Sequence, residues 1–367
     1  MKPELYIGAM TGTSMDGLDL ALVEFLDNSH KTIAAKTFPL PAELIQICQQ
    51  LCSPKTDCLD NYGIAHRWLG ECTAQAILQL LAEVKVSPNQ ITAIGSHGQT
   101  VRHRPDFCHP FTLQLGDGAT IAEQTGIDTI TDFRSADIAA GGQGAPLVPA
   151  FHAYLLGKQT EPTVIVNIGG ISNITYLATN GEVLGYDTGP GNTLLDLWCQ
   201  QHTGKKYDKN GEWGASGKAS DYLLKNLLQD EYFKRPYPKS TGREYFNLNW
   251  LNTYLSANAN IPTQDIQNTL HILTAQTISA EILTLAQTCN VYICGGGTHN
   301  NLLMKMLKKA MPQNKVSSLA AIGIEPDQVE STCFAWLAKC YINRIAANIP
   351  QTTGANKSKI LGALHIG

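Results

Sequence analysis

A polar, glycine-containing loop between two apolar runs lies near the start of the chain and constrains the fold more than any other feature. Tyr6–Gly8 is a short apolar run, and Leu18–Phe25 is an apolar run interrupted at Asp19 and Glu24. This pattern predicts a strand, a hairpin tip and a second strand. Backbone N–H groups and hydroxyl groups that converge at such a tip can bind an anion, and a phosphate group fits best.

Two carboxylates, Asp16 and Asp19, stand in the same loop. Carboxylates repel phosphate unless a divalent cation, usually hydrated Mg²⁺, lies between them. The loop therefore predicts a site for a magnesium–nucleotide complex, in which both aspartates hold Mg²⁺ through water. Spacing alone leaves a second interpretation open, which is a surface turn built from turn-forming residues.

The loop is not a Walker phosphate loop, although its glycines have the spacing of one. Gly12 and Gly17 match the two glycines of that motif, but Leu18 and Asp19 stand where Lys and Ser or Thr are required. A phosphate hairpin of this kind must bind its anion without a lysine of its own.

The chain of 367 residues is long enough for two domains with separate cores. A net charge of −4 and the lack of any Lys/Arg-rich run argue against nucleic-acid binding. No signal-peptide core and no apolar run of membrane-spanning length are present, so we expect a cytoplasmic protein without membrane contact.

The ten cysteines include no C-x-x-C pair. The nearest approach to a cluster, in a helical region, consists of Cys48, Cys52, Cys58, Cys72 and His66. Their uneven spacing fits no common zinc pattern, so we expect reduced, packed thiols.

The opening pattern returns near position 164. Val164–Ile168 is an apolar run, Gly169–Asn173 a glycine turn and Ile174–Ala178 a second run, and Asn180-Gly181 is a strong hairpin signal before a third run. A strand–loop–strand–turn–strand meander therefore occurs twice. We expect two like-folded domains that face each other across a nucleotide cleft, with the second glycine turn as a second phosphate hairpin.

Three later segments bear on the site. Asp187 ends a predicted strand, Glu182–Asp187, and precedes a helix, a position that by itself also suits a helix N-terminal anion or a turn residue. Arg235–Phe246 is an irregular segment dense in aromatic and basic residues. Gly295–Asn300 follows a strand, and its three glycines would let a base and ribose lie against bare backbone.

Eight motifs, in this order, resemble the anhydro-N-acetylmuramic acid kinases over essentially the whole chain. They are GTSMDGLD, SHGQTVRHRP, LQLGDG, DFRSADIAAGGQGAPLVPAFH, NIGGISN, GYDTGPGN, CGGGTHN and PDQVE. The resemblance implies an α/β fold of the actin, sugar-kinase and heat-shock ATPase superfamily. Two actin-like (ribonuclease H-like) domains with mixed sheets flanked by helices would surround an interdomain ATP cleft.

We expect the first domain over residues 1–145, with a C-terminal segment of about 345–367 returning to it. The second domain is expected over residues 146–344 and would carry the second phosphate hairpin, the catalytic aspartate and the adenosine motif.

The resemblance also implies the family reaction. In that reaction 1,6-anhydro-N-acetylmuramic acid, ATP and water give N-acetylmuramate 6-phosphate and ADP, as a step in peptidoglycan recycling. Water is a poor nucleophile, so a carboxylate must take its proton. Asp187 matches the family's general base.

Nucleotide contacts are implied in three places. They are Gly12, Thr13, Ser14, Met15, Asp16, Gly17, Leu18 and Asp19 in the first hairpin; Asn167, Gly169 and Gly170 in the second; and Gly295, Gly296, Gly297 and Asn300 beside the adenosine.

The sugar carries a lactyl carboxylate and an N-acetyl group, so an arginine is expected nearby. Arg134 is the first choice, with an ion pair to Asp137 as the structural alternative. His97 and Gln99, expected at a strand end within a polar loop, would bind sugar hydroxyls, although His97 suits a packing role nearly as well. Glu330 is a further candidate for sugar binding. It lies at a predicted helix start, where an acid is also favoured merely as a capping partner.

Two other functions fit parts of this pattern: a kinase for another sugar, and a non-catalytic nucleotide sensor of the same superfamily. The sensor would show a missing base or a damaged phosphate loop, and both Asp187 and GTSMDGLD are intact. The expected ligands are ATP, Mg²⁺ and a small amino sugar. A homodimer is expected because dimers are the commonest assembly.

Overall fold

The computed structural model describes residues 3–12, 15, 17–26, 29–255 and 260–367. The chain divides into two compact units. Unit 1 comprises Met1–Leu155 and Gln328–Gly367, and unit 2 comprises Leu156–Asp327.

The strands of the described residues are β1 (Glu4–Thr11), β2 (Leu18–Leu26), β3 (Ser29–Phe38), β4 (Ile91–Arg104), β5 (Phe111–Leu115), β6 (Thr129–Thr131), β7 (Thr163–Ile168), β8 (Ile171–Leu177), β9 (Val183–Pro190), β10 (Asn290–Cys294), β11 (Lys315–Ser318) and β12 (Ala363–His365).

The α-helices of the same residues are α1 (Ala42–Leu51), α2 (Leu59–Val84), α3 (Gly118–Thr125), α4 (Ser135–Ala139), α5 (Val148–Leu156), α6 (Thr193–Thr203), α7 (Glu212–Ala215), α8 (Asp221–Leu227), α9 (Glu231–Lys234), α10 (Leu248–Leu255), α11 (Thr263–Leu285), α12 (Asn301–Ala310), α13 (Val329–Ile342) and α14 (Pro350–Thr353).

Each unit contains one mixed sheet, and the two sheets share a strand order. In unit 1 the order is β12-β6-β4-β1-β2-β3, with β5 paired to β4; in unit 2 it is β11-β10-β7-β8-β9. An antiparallel meander, β1-β2-β3 or β7-β8-β9, is extended on its first strand by two parallel strands in both units. The predicted repeat of the meander and the predicted mixed α/β sheets are therefore confirmed.

Each sheet is covered by helices that bury a separate apolar core. In unit 1 the core of the sheet includes Ile7, Leu22 and Ile77, which are fully buried. In unit 2 the corresponding core includes Val166 and Ile278, also fully buried. Central strands that are buried on both faces read as continuous apolar runs, which is why the first strand of each meander is visible in the sequence.

Helix α13 packs against unit 1 through glycines on neighbouring strands. Gly8 of β1 and Gly95 of β4 are paired in register. A Cβ built on Gly8 would lie 2.6 Å from the backbone nitrogen of Ala335, and one built on Gly95 would lie 2.9 Å from the carbonyl carbon of Phe334. The backbone of α13 therefore rests directly on the sheet.

This packing corrects the expected domain boundaries. The return of the chain to unit 1 begins at Gln328 instead of about residue 345, because α13 buries its apolar face on β1 and β4. The helix ends at Ile342, before Arg344, which has a left-handed φ of 57°. The other boundary lies after Leu155, since α5 also belongs to unit 1.

A second correction concerns the segment that follows Ser96. Strand β4 continues to Arg104, so His97 and Gln99 lie within a strand and not in a polar loop. Antiparallel pairing with β5 explains the extension, since Gln99 is opposite Leu115 and Arg104 is opposite Phe111. The many polar side chains on this part of β4 concealed the strand from pattern analysis.

No helix in the part of the chain that the structure describes combines the length and apolar content needed to cross a membrane.

We predict that Gly8→Ala destabilises unit 1 by about 1–3 kcal/mol, because the added methyl group would overpack the contact with α13. The midpoint of urea unfolding, followed by circular dichroism, should fall.

Gly63→Ala in α2 is the matched control, because a Cβ at Gly63 would meet no atom within 4 Å. An alanine in a helix interior should raise stability by roughly 0.5–1 kcal/mol. An unchanged midpoint for Gly8→Ala would show that α13 does not rest on this glycine.

Candidate active site

The tip of the β1–β2 hairpin is the first predicted phosphate loop. The strands pair up to Thr11 and Leu18, and the Thr11 hydroxyl donates to the carbonyl of Gly98 at 2.9 Å. The N–H of Met15, which has a left-handed φ of 56°, donates to the carbonyl of Gly12 at 3.0 Å. A hydrogen bond thus joins Met15 to Gly12, and the Thr11 hydroxyl ties β1 to β4.

Three of the predicted hairpin residues, Thr13, Ser14 and Asp16, lie outside the described residues. The side chains of Met15 and Leu18 are buried in apolar clusters, so a contact of either residue with a nucleotide would involve its backbone.

Asp19 lies in β2, just beyond the tip, and is only partly buried. Its Oδ1 accepts a hydrogen bond from the Thr37 hydroxyl of β3 at 2.5 Å. Gly17 lets these strands approach, since a Cβ there would lie 2.5 Å from Cγ2 of Thr37. The Asp19 carboxylate is thus positioned at the base of the hairpin.

Arg134, at the start of α4, forms a compact polar contact with β4 in unit 1. Its Nε and Nη2 lie 3.1 and 2.9 Å from Nε2 of His97, and its Nη1 donates to the carbonyl of Gly144 at 2.7 Å. Nδ1 of His97 lies 2.8 Å from the carbonyl of Gly98, so Nδ1 carries the proton and Nε2 accepts.

Burial and the neighbouring Arg134 lower the pKa of His97 to about 3, so the imidazole is neutral. Both ring nitrogens are engaged within the protein, which favours the packing interpretation of His97. Burial lowers the pKa of Arg134 to about 10, although the negative charge of Glu330 opposes that shift. Glu330 lies in the first turn of α13.

The expected alternative for Arg134, an ion pair with Asp137, is not formed between these two described residues. Instead, the fully buried Asp137 accepts hydrogen bonds from the Gly144 N–H, the Asn348 side-chain amide and the Thr353 hydroxyl at 2.6–2.7 Å. Asp137 therefore ties the glycine loop to the C-terminal part of unit 1.

Gln99 is buried, and its Nε2 donates to the carbonyl of Thr100 at 3.1 Å. Its Oε1 has no hydrogen-bond partner among the described residues. One acceptor therefore remains for a ligand or a water molecule.

The second glycine hairpin lies between β7 and β8 in unit 2. The carbonyl of Gly169 accepts from the N–H of Asn192 at 2.8 Å, and that of Gly170 accepts from Gly191 and Thr193 at 2.9 and 3.0 Å. Within the described part of the chain, the N–H groups of the two glycines donate to no loop or side-chain acceptor. These two N–H groups are therefore available to a ligand.

The Gly295–Gly297 loop packs against this hairpin. Asn167 of β7 is opposite Cys294 of β10 in the parallel pair. Gly295 has a φ of 75°, and a Cβ there would lie 3.0 Å from the carbonyl oxygen of Ile168. A Cβ on Gly297 would collide with the Ile168 side chain, and one on Gly296 would lie 3.8 Å from Nδ2 of Asn192.

Asn300 ends this loop as the N-cap of α12, where its Oδ1 accepts from the Leu303 N–H at 3.1 Å. Its Nδ2 lies 2.9 Å from Nε2 of His271 on α11. Nδ1 of that histidine bonds to the carbonyl of Gln267, and burial lowers its pKa. A neutral histidine therefore fixes the orientation of the Asn300 amide.

Asp187, the predicted general base, lies in β9 and is held on three sides. Its N–H donates to the carbonyl of Lys239 at 3.1 Å, and its carbonyl accepts from the Tyr232 hydroxyl at 2.8 Å. Its Oδ2 accepts from the N–H of Thr241 at 2.9 Å. Its Oδ1 accepts from no group among the described residues, so this oxygen is available to a reactant.

Burial raises the pKa of Asp187 to about 7. The Thr241 N–H opposes that rise, and the negative charge of Glu244 adds to it. A carboxyl group with such a pKa can take up a proton near neutral pH, which a general base requires.

Lys239 anchors the segment that holds Asp187. Its ammonium group is almost fully buried and pairs with Glu281 of α11 at 2.6 Å. The other oxygen of Glu281 accepts from the Tyr186 hydroxyl at 3.1 Å. The segment is therefore fixed to α11, the helix that covers the sheet. The attachment lies beside Tyr186, the residue that precedes Asp187.

Sequence analysis missed Tyr232, Lys239, Thr241 and His271 as parts of this site. The contacts of Tyr232 and Thr241 with Asp187 span 45 and 54 positions of the chain. The basic and aromatic composition of Arg235–Phe246 was the available signal, but composition does not say where such a segment docks.

The family model and the sequence relatives agree on one family. A family model described as anhydro-N-acetylmuramic acid kinase matches residues 4–367. The anhydro-N-acetylmuramic acid kinase of Shewanella oneidensis is 50% identical over 363 residues, which are 99% of this chain and 98% of that one. The anhydro-N-acetylmuramic acid kinase of Pasteurella multocida is 48% identical over 362 residues, which are 98% of this chain and 96% of that one.

Among solved structures, the activator of the 2-hydroxyisocaproyl-CoA dehydratase from Clostridium difficile, with bound ADPNP, aligns with 94% of this chain and 99% of its own. The sequence identity is 13% and the TM-score is 0.45. Because the family model spans nearly the whole chain and two relatives match it over almost their full lengths, the chain belongs to the anhydro-N-acetylmuramic acid kinase family.

Proposed function

We propose that the chain opens the 1,6-anhydro ring of 1,6-anhydro-N-acetylmuramic acid with water and phosphorylates O6 at the expense of ATP. The products are N-acetylmuramate 6-phosphate and ADP, and the reaction belongs to peptidoglycan recycling. The observation that carries this proposal is Asp187, with one carboxylate oxygen anchored, the other available, and a pKa near 7. Family membership identifies the reaction class as phosphoryl transfer.

The anchored carboxylate supplies the first half of the chemistry. Oδ1 of Asp187 takes a proton from water while the water oxygen bonds to C1 of the sugar. The bond between C1 and the bridging oxygen breaks, and its electron pair stays on that oxygen, O6. The Thr241 N–H keeps Oδ2 fixed, so the carboxylate turns only its free oxygen toward water.

The second half is phosphoryl transfer. O6 bonds to the γ-phosphorus of ATP as the bond from that phosphorus to the β-phosphate oxygen breaks, and ADP leaves. Negative charge on the phosphoryl oxygens increases in the transition state, and preorganised N–H donors stabilise it. The unused N–H groups of Gly169 and Gly170 are suited to this task.

Asp19 is the described residue that fits a Mg²⁺ role. Its carboxylate and the Thr37 hydroxyl present oxygen atoms at the base of the first hairpin, and Mg²⁺ prefers oxygen ligands. Asp19 would hold the hydrated ion through water, together with Asp16. When bound, Mg²⁺ neutralises charge on the phosphates.

Arg134 and Glu330 are the proposed sugar contacts in unit 1. The guanidinium of Arg134 is fixed by His97 and Gly144, which preorganises it for the lactyl carboxylate. His97 then acts by orienting Arg134.

Product analysis in ¹⁸O-water tests the reaction. Purified protein, ATP, Mg²⁺ and 1,6-anhydro-N-acetylmuramic acid should yield a sugar phosphate that carries one ¹⁸O at C1, after correction for exchange through the open-chain sugar. Loss of ATP without a sugar phosphate would instead indicate a nucleotide sensor, and turnover of another sugar alone would indicate a different kinase.

We predict that Asp187→Asn lowers kcat by roughly 10²–10⁴-fold, the usual range for general-base catalysis. Affinity for ATP should be retained, because an asparagine side-chain oxygen can still accept from the Thr241 N–H. Steady-state kinetics and nucleotide-binding calorimetry measure the two effects.

Asp221→Asn is the matched control, since Asp221 is an exposed aspartate on α8 of the same unit. It should leave turnover unchanged. Wild-type turnover in Asp187→Asn would refute the assigned base.

We also predict that kcat/KM decreases roughly tenfold per pH unit below about pH 7, because only the ionised Asp187 can accept a proton. A raised pKa means that the active form is lost as pH falls through that value. The Glu244→Gln substitution should shift this decrease in kcat/KM to lower pH, because it removes a negative charge that raises the pKa of Asp187. A rate that stays constant from pH 7 down to pH 5 would contradict the assignment.

A further inference from the structure

The segment that holds Asp187 continues to Arg243, whose guanidinium lies against the second glycine hairpin. A Cβ built on Gly170 would lie 2.8 Å from both Nε and Nη2 of Arg243. A side chain at position 170 would push the guanidinium out of this place.

Within the part of the chain that the structure describes, Arg243 has no partner for its charge. The residue is exposed, and among the described residues its guanidinium takes part in no ion pair or hydrogen bond. The adjacent Glu244 does not neutralise it, because the Glu244 carboxylate folds back over Gly242. A cation is thus placed at the hairpin and left available.

The charge of the nucleotide requires such a cation. Neither glycine hairpin contains a lysine or an arginine. Backbone N–H groups and one hydrated Mg²⁺ would otherwise have to balance a triphosphate alone. A guanidinium presents planar N–H donors that match two phosphoryl oxygens at once.

We propose that Arg243 binds the β- and γ-phosphate oxygens of the nucleotide at the second hairpin. The inference rests on the proposed function, in which ATP is the phosphoryl donor. Residues 239–241 hold Asp187 through the Lys239 carbonyl and the Thr241 N–H, and Arg243 follows two positions later. One segment therefore positions the base and contacts the phosphate. This connection fixes the position of Asp187 relative to the phosphoryl group that is transferred.

Nucleotide binding without sugar tests this assignment directly. Dissociation constants of ADP, of a non-hydrolysable ATP analogue and of AMP are measured by calorimetry for the wild type, Arg243→Gln and Arg243→Lys. Arg243→Gln should weaken ADP and the ATP analogue by roughly tenfold to a hundredfold, the range for a lost charge-assisted contact, and leave AMP unchanged. Arg243→Lys should recover part of the loss.

Lys234→Gln removes another exposed cation from the same unit and is the matched control. It should bind all three nucleotides like the wild type. The thermal midpoint of unliganded Arg243→Gln should equal that of the wild type, since the contact with Gly170 is not needed for folding.

Two results would overturn the proposal. One is unchanged affinity for ADP and for the ATP analogue in Arg243→Gln. The other is an equal loss for AMP or a lowered thermal midpoint in both Arg243 variants, which would show that Arg243 only shapes the hairpin. A wild type that binds ADP but does not phosphorylate the anhydro sugar would refute the proposed function and leave the phosphate contact standing.

Discussion

The docking of residues 239–241 on Asp187 is the interaction on which the proposed chemistry of Asp187 depends. It fixes the backbone of the aspartate at Lys239 and one carboxylate oxygen at Thr241. The second oxygen remains available, and burial raises the pKa of the group into the range of a working base. The ion pair between the buried Lys239 and the partly buried Glu281 fixes this segment to α11, so the proposed base is held by an anchored segment.

Glycines bring the parts of this fold into contact by removing side chains where backbones must meet. Gly8 and Gly95 let α13 rest on the sheet of unit 1, and Gly295 and Gly297 let their loop rest on β7 and its hairpin. Gly170 leaves space for Arg243 in the same way. The glycine-rich motifs therefore allow these segments to pack closely, besides the anion-binding role that we propose for the N–H groups of the second hairpin.

Local patterns in the sequence predicted the elements of the fold and the two hairpins, because short-range periodicity and turn residues determine both. The choice of Asp187 as the general base came from the resemblance of its motif to one family, and it stays a prediction. The sequence could not reveal that Tyr232 and Thr241 hold Asp187, because these contacts join segments that are far apart in the chain. The polar continuation of β4 and the early return of α13 to unit 1 were missed for a similar reason, since pairing with β5 and packing on glycine decide them.

The central claim is that a carboxyl group held by Thr241 titrates near neutral pH and thereby serves as the base. Carbon-13 NMR of protein labelled at the aspartate carboxyl carbons, titrated from pH 4 to pH 9 and compared with Asp187→Asn, measures this property without any substrate. The account predicts one resonance that titrates near pH 7 in the wild type and is missing from the variant. A spectrum in which every aspartate carboxyl is fully ionised by pH 5 would contradict it.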